Sequence, residues 1–258
     1  MQGAGVVLAW RWSVKCIKLR APQFPPPRWT DHLEMLDRPA EHSDHLGPGL
    51  AEVRLVNRWL GGTAIALDFV QREFEASGRR RLTLLDVAAG TADIPLTAMV
   101  WARAHGLQLD VTATDVSEQV LALARRHARN QRCLRLERAD ATSLSYADGS
   151  FDLVMCNLAL HHFAPDAAER AMSEMYRVSR RAMLVNDLER SRPAYWAARL
   201  LFTATRNPVT RHDGPLSVLR SYTLDELAAL ASRAGLPTSI EVRRRHWFRM
   251  QVVARKAR

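Results

Sequence analysis

The sequence contains very little lysine and cysteine and has no long hydrophobic run. Only three of its 37 basic residues are lysines, at positions 15, 18 and 256, so no lysine lies mid-chain to act as a core catalytic group. Its three cysteines form no Cys-x-x-Cys pair, which excludes a disulfide framework and is typical of a cytoplasmic protein. The apolar run at residues 6–10 is broken by Arg11. It is far shorter than the roughly 20 residues of a membrane span, so we expect no transmembrane helix.

Arginine dominates the charge of the chain. The formal net charge is +10, and an excess of this size raises a nucleic acid or an anionic membrane as a partner. Arginine clusters lie at residues 79–81 and 243–245, with a basic pair at 255–256, but runs of charge usually form solvated faces. We therefore expect no nucleic-acid partner. A peripheral membrane contact and the oligomeric state stay open.

The order of apolar segments indicates an α/β fold of one domain with N-terminal additions. Residues 1–34 are basic and contain three consecutive prolines, so we expect a disordered arm, or a misassigned start with Met35 as the true first residue. Residues 35–78 have helical periodicity, and residues 79–258 alternate strand-like with helical segments, as in a Rossmann-like doubly wound sheet. Seven strands are predicted, mostly parallel and ending in an antiparallel C-terminal hairpin, near residues 82–88, 109–114, 133–138, 151–156, 181–187, 238–245 and 247–255.

The segment at residues 189–222 is longer than a connection between two elements of such a sheet needs to be. Residues 193–206 are amphipathic and aromatic and predict a helix, whereas the proline and glycine residues at 207–215 predict a loop. Long insertions at the carboxyl edge of a parallel sheet are commonly lids or substrate walls. We expect this insertion to cover the functional site.

Polar residues follow successive predicted strands. The first strand contains Asp86 and leads into a turn of small residues that opens a helix, where backbone N–H groups can approach a ligand. Asp115 ends the second strand, roughly 20 to 25 residues beyond this turn, near the spacing of an acid that binds ribose hydroxyls. Asp140 follows the third strand and Asn157 the fourth. Because the carboxyl ends of parallel strands share one edge of the sheet, the sequence predicts a nucleotide site there.

These segments resemble the class I S-adenosylmethionine-dependent methyltransferases. The closest similarity is to the quinone-biosynthesis C-methyltransferases and related small-molecule methyltransferases. The resemblance implies an enzyme that uses S-adenosylmethionine to methylate a small, hydrophobic acceptor of phenolic, quinone-like or polyketide type, on an oxygen, carbon or nitrogen atom. The segments that carry it are residues 86–93, 115–117, 140–144, 148–152 and 174–178.

The resemblance also implies which residues hold the cofactor. The loop after the first strand would lie beside its methionine portion, and the acid after the second strand would bind both ribose hydroxyls. Residues after the third and fourth strands would contact adenine and line the passage to the acceptor. In chain order the implied residues are Asp86, Ala88, Ala89, Gly90, Thr91, Asp115, Val116, Asp140, Ala141, Asn157 and Leu158.

Two loop positions that usually hold glycine in this family hold Ala88 and Ala92 instead. Each added methyl group crowds the approach of a cofactor, and alanine adopts positive φ angles far less readily than glycine. We expect either a loop geometry that tolerates the methyl groups or a weakened affinity for the cofactor.

Methyl transfer is an in-line displacement, so the protein must align the acceptor, exclude water and remove a proton where the nucleophile carries one. His161 and His162 follow the fourth strand, and imidazole titrates near neutral pH, which makes them candidate bases. Asp187, at the end of the fifth strand, and His212, in the insertion, are further candidates. The alternative is that the histidines only pack or cap a helix. No metal site is predicted.

Three other functions match parts of the pattern. A nicotinamide-dependent reductase shares the ribose-binding acid, but the tight Gly-x-Gly-x-x-Gly turn and a core lysine are missing. A nucleic-acid methyltransferase is favoured by the charge, yet enzymes that methylate base amino groups generally carry Asn/Asp-Pro-Pro-aromatic, whereas residues 157–160 read Asn-Leu-Ala-Leu. A non-catalytic cofactor-binding or scaffold protein with the same fold stays open because the glycine loop is altered.

Overall fold

The protein is represented by a computed structural model, which describes residues 28–38, 43–128 and 131–256. In this part of the chain a seven-stranded sheet forms the central layer, with the strand order β3-β2-β1-β4-β5-β7-β6. Strands β1 to β5 are parallel, and β7 lies antiparallel between β5 and β6. The strands are β1 Arg81–Val87, β2 Gln108–Asp115, β3 Leu134–Arg138, β4 Phe151–Asn157, β5 Ser179–Leu188, β6 Glu241–Arg245 and β7 Arg249–Arg255.

Helices cover both faces of the sheet. Successive residues of a strand point to opposite faces, so Leu84 joins the core beneath α2 and α3 and Leu85 joins the core beneath α5 and α8. Burial on both faces explains why the central strands β1, β4 and β5 contain near-continuous apolar runs. The helices are α1 Ser43–Trp59, α2 Gly62–Ser77, α3 Asp93–Ala104, α4 Glu118–His127, α5 Pro165–Val178, α6 Arg192–Phe202, α7 Pro208–Arg220 and α8 Leu224–Arg233.

The predicted fold class is confirmed. All seven strands lie where the sequence places them, with ends that differ by three residues or fewer. Within the described ranges, no helix combines the length and apolarity that crossing a membrane requires.

The prediction of a loop at residues 207–215 is wrong, because helix α7 begins at Pro208. The Asn207 side chain caps the helix by accepting the N–H of Val209 at 2.9 Å, and Pro208 occupies the first helical position, where its missing N–H costs nothing. Gly214 lets α6 approach, since a Cβ there would lie 2.1 Å from the ring of Phe202. The proline and glycine that indicated a loop therefore start the helix and allow α6 and α7 to pack closely.

The N-terminal boundary also differs from the prediction. Residues 28–38, which we call the strap, run across the carboxyl edge of the sheet and contain a short 3-10 turn at Met35–Asp37. The sequence predicts that residues 1–34 are a disordered arm or precede a misassigned start, yet Glu34 is 1% exposed. The correction is physical: this segment is fixed by ion pairs and hydrogen bonds to distant parts of the chain. Residues 1–27 lie outside the described residues.

Candidate functional site

A cavity of about 620 Å³ lies at the carboxyl edge of the sheet, within the usual size of small-molecule sites. Its floor is formed by the turns that follow β1, β2 and β4. The strap, α1, α6, α7 and the β6–β7 turn (residues 246–248) cover it. The insertion predicted to cover the site therefore does contribute α6 and α7 to its wall.

The turn after β1 has the shape of a glycine loop without all of its glycines. Ala88, Gly90 and Ala92 have φ angles of 53°, 57° and 57°, in the left-handed region that disfavours side chains with a Cβ. The two alanines thus adopt a backbone conformation that favours glycine. A Cβ added at Gly90 would meet nothing within 4 Å, so the backbone there faces open space.

Asp115, at the end of β2, is bound to this turn. One carboxylate oxygen accepts the N–H of Gly90 at 3.1 Å, and the other accepts the N–H of Ser117 at 2.9 Å. Burial raises the pKa of Asp115 although these backbone donors oppose it. The carboxylate lines the cavity, so it presents a fixed pair of acceptor oxygens beside the open backbone of Gly90.

Asp86 is a buried residue of β1, two positions before Ala88 at the start of the turn. Asp86 is 1% exposed, and burial raises its pKa well above the ordinary value. The Asn157 amide donates to it at 3.4 Å, and the Asn186 amide donates to Asn157 at 3.0 Å and to the carbonyl of Gly62 at 3.0 Å. This network ties the ends of β1, β4 and β5 to the start of α2.

The cavity unites most, but not all, of the predicted site residues. Asp140 is exposed and its carboxylate accepts the N–H and hydroxyl of Thr142, both at 2.8 Å, whereas Ala141 packs in the core. Neither residue lines the cavity, so their predicted adenine contacts stay predictions. The residues from the prediction that do line it are Ala88, Ala89, Gly90, Thr91, Asp115, Val116, Asn157, Leu158, His161 and His162.

His161 is held by Asp187 at the far side of the cavity. The two side chains are buried, and their Nδ1 and Oδ1 atoms are 2.7 Å apart. The second oxygen of Asp187 accepts the backbone N–H of His161 at 2.9 Å. Burial would raise the pKa of Asp187, but the contact with His161 outweighs it and lowers that pKa. The pair fixes the imidazole with Nδ1 toward Asp187 and Nε2 toward the strap.

His162 faces two carboxylates of the strap. Its Nδ1 lies 2.6 Å from Asp37, and its Nε2 lies 3.8 Å from Glu34. Burial by itself would lower the pKa of His162, but Glu34 and Asp37 raise it to about 9. The imidazole is therefore protonated at neutral pH and cannot accept a proton, which leaves His161 as the better placed of the two predicted bases. His212 pairs with Asp213 at 2.7 Å and does not line the cavity.

The strap is anchored by charged groups that the sequence did not single out. Arg28 donates to the carbonyls of His161 and Phe163 at 2.9 and 2.7 Å. The buried carboxylate of Asp213 accepts the N–H groups of residues 35 and 36 at 2.8 and 3.0 Å, and Arg220 pairs with Asp37. These residues carry no local signal, because each acquires its role from a partner far away in the chain.

Asp93 is a further residue that the prediction omitted. It lies in the first turn of α3, lines the cavity and accepts the hydroxyl of Thr91 at 3.1 Å, and burial raises its pKa. Its position directly after the small-residue turn was the available signal.

Comparison with known proteins finds methyltransferases. Residues 84–182 match the family described as a methyltransferase domain. The chain is 34% identical over 105 residues to a demethylmenaquinone methyltransferase of Deinococcus radiodurans, covering 40% of this chain and 41% of that protein. It is 35% identical over 104 residues to a ubiquinone/menaquinone biosynthesis C-methyltransferase of Methylobacterium nodulans, covering 40% and 39%. It thus spans about two fifths of the length of these curated relatives.

The fold is also that of solved methyltransferases. A putative S-adenosylmethionine-dependent methyltransferase from Methanococcus maripaludis aligns with a TM-score of 0.55 at 12% identity. The alignment covers 82% of this chain and 94% of that chain. At this identity the likeness concerns the fold alone.

Proposed function

We propose, from the class I S-adenosylmethionine-dependent methyltransferase domain that this chain carries, that the protein methylates a small, apolar acceptor of phenolic, quinone-like or polyketide type. The observation that carries the proposal is the composition of one cavity. It joins the turn after β1 and Asp115 to a compartment walled by α6, α7 and the β6–β7 turn. A cofactor and an apolar acceptor can therefore meet inside a single enclosed space.

The residues of the turn suit S-adenosylmethionine, the cofactor of this domain. The open backbone at Gly90 admits a ligand, and the half-buried carboxylate of Asp115 has acceptor capacity for ribose hydroxyls beyond its two backbone donors. We assign cofactor binding to residues 88–91, Asp115 and Val116. Asp86 acts from below by holding the turn, and Asn157 and Leu158 line the route toward the acceptor.

The cofactor supplies an electrophilic methyl group on a sulfonium. The protein's part is to align the acceptor, exclude water and take up a proton where the acceptor carries one. Asp187 fixes the imidazole of His161 by pairing with its Nδ1 atom. The Nε2 atom takes no part in this pair, and His161 lines the cavity. His161 is accordingly the proposed proton acceptor, and Asp187 is a positioning residue.

The rim of the cavity is apolar and suits the entry of an apolar acceptor. Leu201, Trp247 and Phe248 line the cavity and are also 45%, 62% and 38% exposed. Beside them on α6, Trp196 and Leu200 are 62% and 77% exposed. Exposed aromatic and aliphatic side chains on a protein of net charge +10 suit the interface of an anionic membrane. We propose a peripheral membrane contact at this rim, from which a lipophilic acceptor enters.

Calorimetric titration with S-adenosylhomocysteine tests the cofactor site. Asp115→Asn removes the charge that strengthens hydrogen bonds to ribose, a loss of about 1.5–3 kcal/mol or ten- to a hundred-fold in Kd. Asp110→Asn is the matched control, because Asp110 lies on the same strand and pairs with Arg81 away from the cavity. Unchanged affinity in Asp115→Asn would refute the assigned site. Absence of binding by the wild type would leave the scaffold alternative.

Uptake of labelled methyl groups into a panel of phenols and quinols tests the acceptor class. His161→Ala should lower turnover at saturating cofactor by about 10²- to 10⁴-fold if His161 accepts the proton. His212→Ala, which changes a histidine outside the cavity, should retain it. Equal turnover in the two variants would show that alignment alone suffices or that the base lies elsewhere.

A further inference from the structure

We propose that Glu34, His161 and His162 form a binding site for one divalent transition-metal ion, with Zn²⁺ as the reference ion, where the strap closes over the cavity. The ligand atoms are one carboxylate oxygen and the two imidazole nitrogens, which all lie within 4.8 Å of one another. The three residues line the cavity. The site does not depend on the proposed methyl transfer and can be tested without it.

The spacing of these atoms is that of ligands around an ion. Nε2 of His161 is 3.6 Å from Oε1 of Glu34, and Nε2 of His162 is 3.8 Å from Oε2. Hydrogen bonds between such atoms measure about 2.7–3.2 Å. Zinc binds nitrogen and oxygen at about 2.0–2.2 Å, which separates neighbouring tetrahedral ligands by roughly 3.3–3.5 Å. The three ligand atoms lie within 4.8 Å of one another, so side-chain shifts of about an ångström would bring them onto one ion.

The other ring nitrogen of each histidine is already held by a carboxylate. Nδ1 of His161 lies 2.7 Å from Asp187, and Nδ1 of His162 lies 2.6 Å from Asp37. Histidines that bind metals almost always use one nitrogen for the ion and the other for such a partner, which fixes the ring and raises its basicity. Here both rings are oriented in this way, with their Nε2 atoms turned toward Glu34.

The side chain of Glu34 gives a second line of evidence for a bound ion, apart from the spacing of the ligand atoms. Its side chain is 1% exposed, and Oε1 is buried with no hydrogen-bond partner among the described residues. A buried carboxylate oxygen without a partner is costly. The arginine nitrogen facing Oε1, Nε of Arg220, is 4.0 Å away, beyond a hydrogen bond, and is itself a buried atom with no such bond. An ion between Glu34 and the imidazoles would satisfy Oε1.

The charge and the donor set select the class of ion. Three carboxylates surround the position, those of Glu34, Asp37 and Asp187, and they face the arginines Arg220 and Arg249. Two imidazoles and a carboxylate suit zinc and similar first-row ions rather than magnesium or calcium. Three protein ligands leave a position for an oxygen atom of water or acceptor.

The metal proposal and the base prediction for His161 describe different states. With an ion bound, Nε2 of His161 is a ligand and does not accept a proton. The ion would instead bind an acceptor oxygen and lower the pKa of its hydroxyl group, whose proton leaves to water. Measuring metal content therefore also decides which description of His161 applies.

The test uses the full chain without a histidine tag. The protein is stripped with a chelator, dialysed against Zn²⁺ and analysed for bound metal by mass spectrometry, and the affinity is measured by calorimetry. We expect one Zn²⁺ per chain, at least a ten-fold loss of affinity in Glu34→Gln, and no binding in His161→Ala/His162→Ala. The matched control His45→Ala/His105→Ala removes two exposed histidines outside the cavity and should bind as the wild type does.

A second readout keeps the proposal falsifiable if a variant unfolds. Co²⁺ titrated into the wild type should produce visible absorption bands that saturate at one equivalent and disappear when Zn²⁺ is added. Absence of these bands, or wild-type Zn²⁺ content no higher than that of the double histidine variant, would overturn the proposal. Unchanged affinity in a folded Glu34→Gln variant, checked by thermal unfolding, would also overturn it.

Discussion

Replacing Ala88 by glycine should stabilise the protein although it removes a methyl group. Ala88 has a φ of 53°, and the left-handed region costs an L residue roughly 1–2 kcal/mol. Glycine avoids that cost but gives up about 0.4–1 kcal/mol because its unfolded chain is more flexible. The methyl group is only partly buried, so little packing is lost. We expect the free energy of unfolding to rise by about 0.5–1 kcal/mol in Ala88→Gly.

Ala92 separates the backbone effect from packing. Its φ of 57° implies the same strain, but the residue is fully buried at 0% exposure. Removing its methyl group forfeits about 0.8 kcal/mol of burial, which nearly cancels the gain, so Ala92→Gly should be close to neutral. Ala89 is the matched control because it lies in the same turn without a positive φ. Ala89→Gly should lose about 0.4–1 kcal/mol.

Urea unfolding of the three single variants measures these differences. Ala88→Gly and Ala89→Gly should differ by about 1–2 kcal/mol, with Ala92→Gly between them. In a domain of this size each kcal/mol corresponds to about 2–4 °C in Tm. Destabilisation of Ala88→Gly to the same extent as Ala89→Gly would refute the inference that the turn is strained. Titration of the same variants with S-adenosylhomocysteine then shows whether the alanines weaken the cofactor site or suit it.

Two further predictions concern the cover of the cavity. Asp213→Ala removes the acceptor of the strap N–H groups at residues 35–36 and should cost about 1–3 kcal/mol. Faster hydrogen exchange confined to those amides would support this, and unchanged exchange would contradict it. At the rim, Trp196→Ser should reduce co-sedimentation with anionic vesicles, while Val100→Ser, at an exposed apolar residue of α3, should not. Equal binding by both variants would exclude α6 from a membrane contact.

The strands could be predicted because their signal is local. The central strands β1, β4 and β5 contain apolar runs bounded by turn residues or by the polar residue that begins the next turn, and burial on both faces demands such a run. The edge strand β3 instead alternates apolar with charged residues. The prediction of a loop at residues 207–215 failed because proline and glycine occur in helices as well as in loops. Pro208 is favourable at the first position of a helix, and Gly214 is required by contact with Phe202. The contact between α6 and α7, which explains Gly214, is visible only in the structure.

The floor of the candidate site and the insertion over it were predictable, and the strap was not. Residues such as Asp86 and Asp115 lie at strand ends, where topology brings them together and the turn chemistry marks them. Glu34 and Asp37 lie in the strap, and the contact between Asp37 and His162 joins residues 125 positions apart. A charged residue in a basic, proline-rich region carries no sign of such a partner. The structure therefore adds the strap, its ion pairs and the cluster around His161.

The energetics of the cover indicate how an acceptor reaches the cavity. Lifting the strap would break hydrogen bonds from Arg28 and to Asp213, besides the backbone bond between residues 29 and 219. At about 1 kcal/mol each these bonds oppose opening by several kcal/mol, before the ion pair between Asp37 and Arg220 is counted. At the opposite rim, exposed side chains such as Leu201 and Trp247 can change rotamer at far lower cost. Entry between α6 and the β6–β7 turn is therefore favoured, with the strap closed over the histidines throughout.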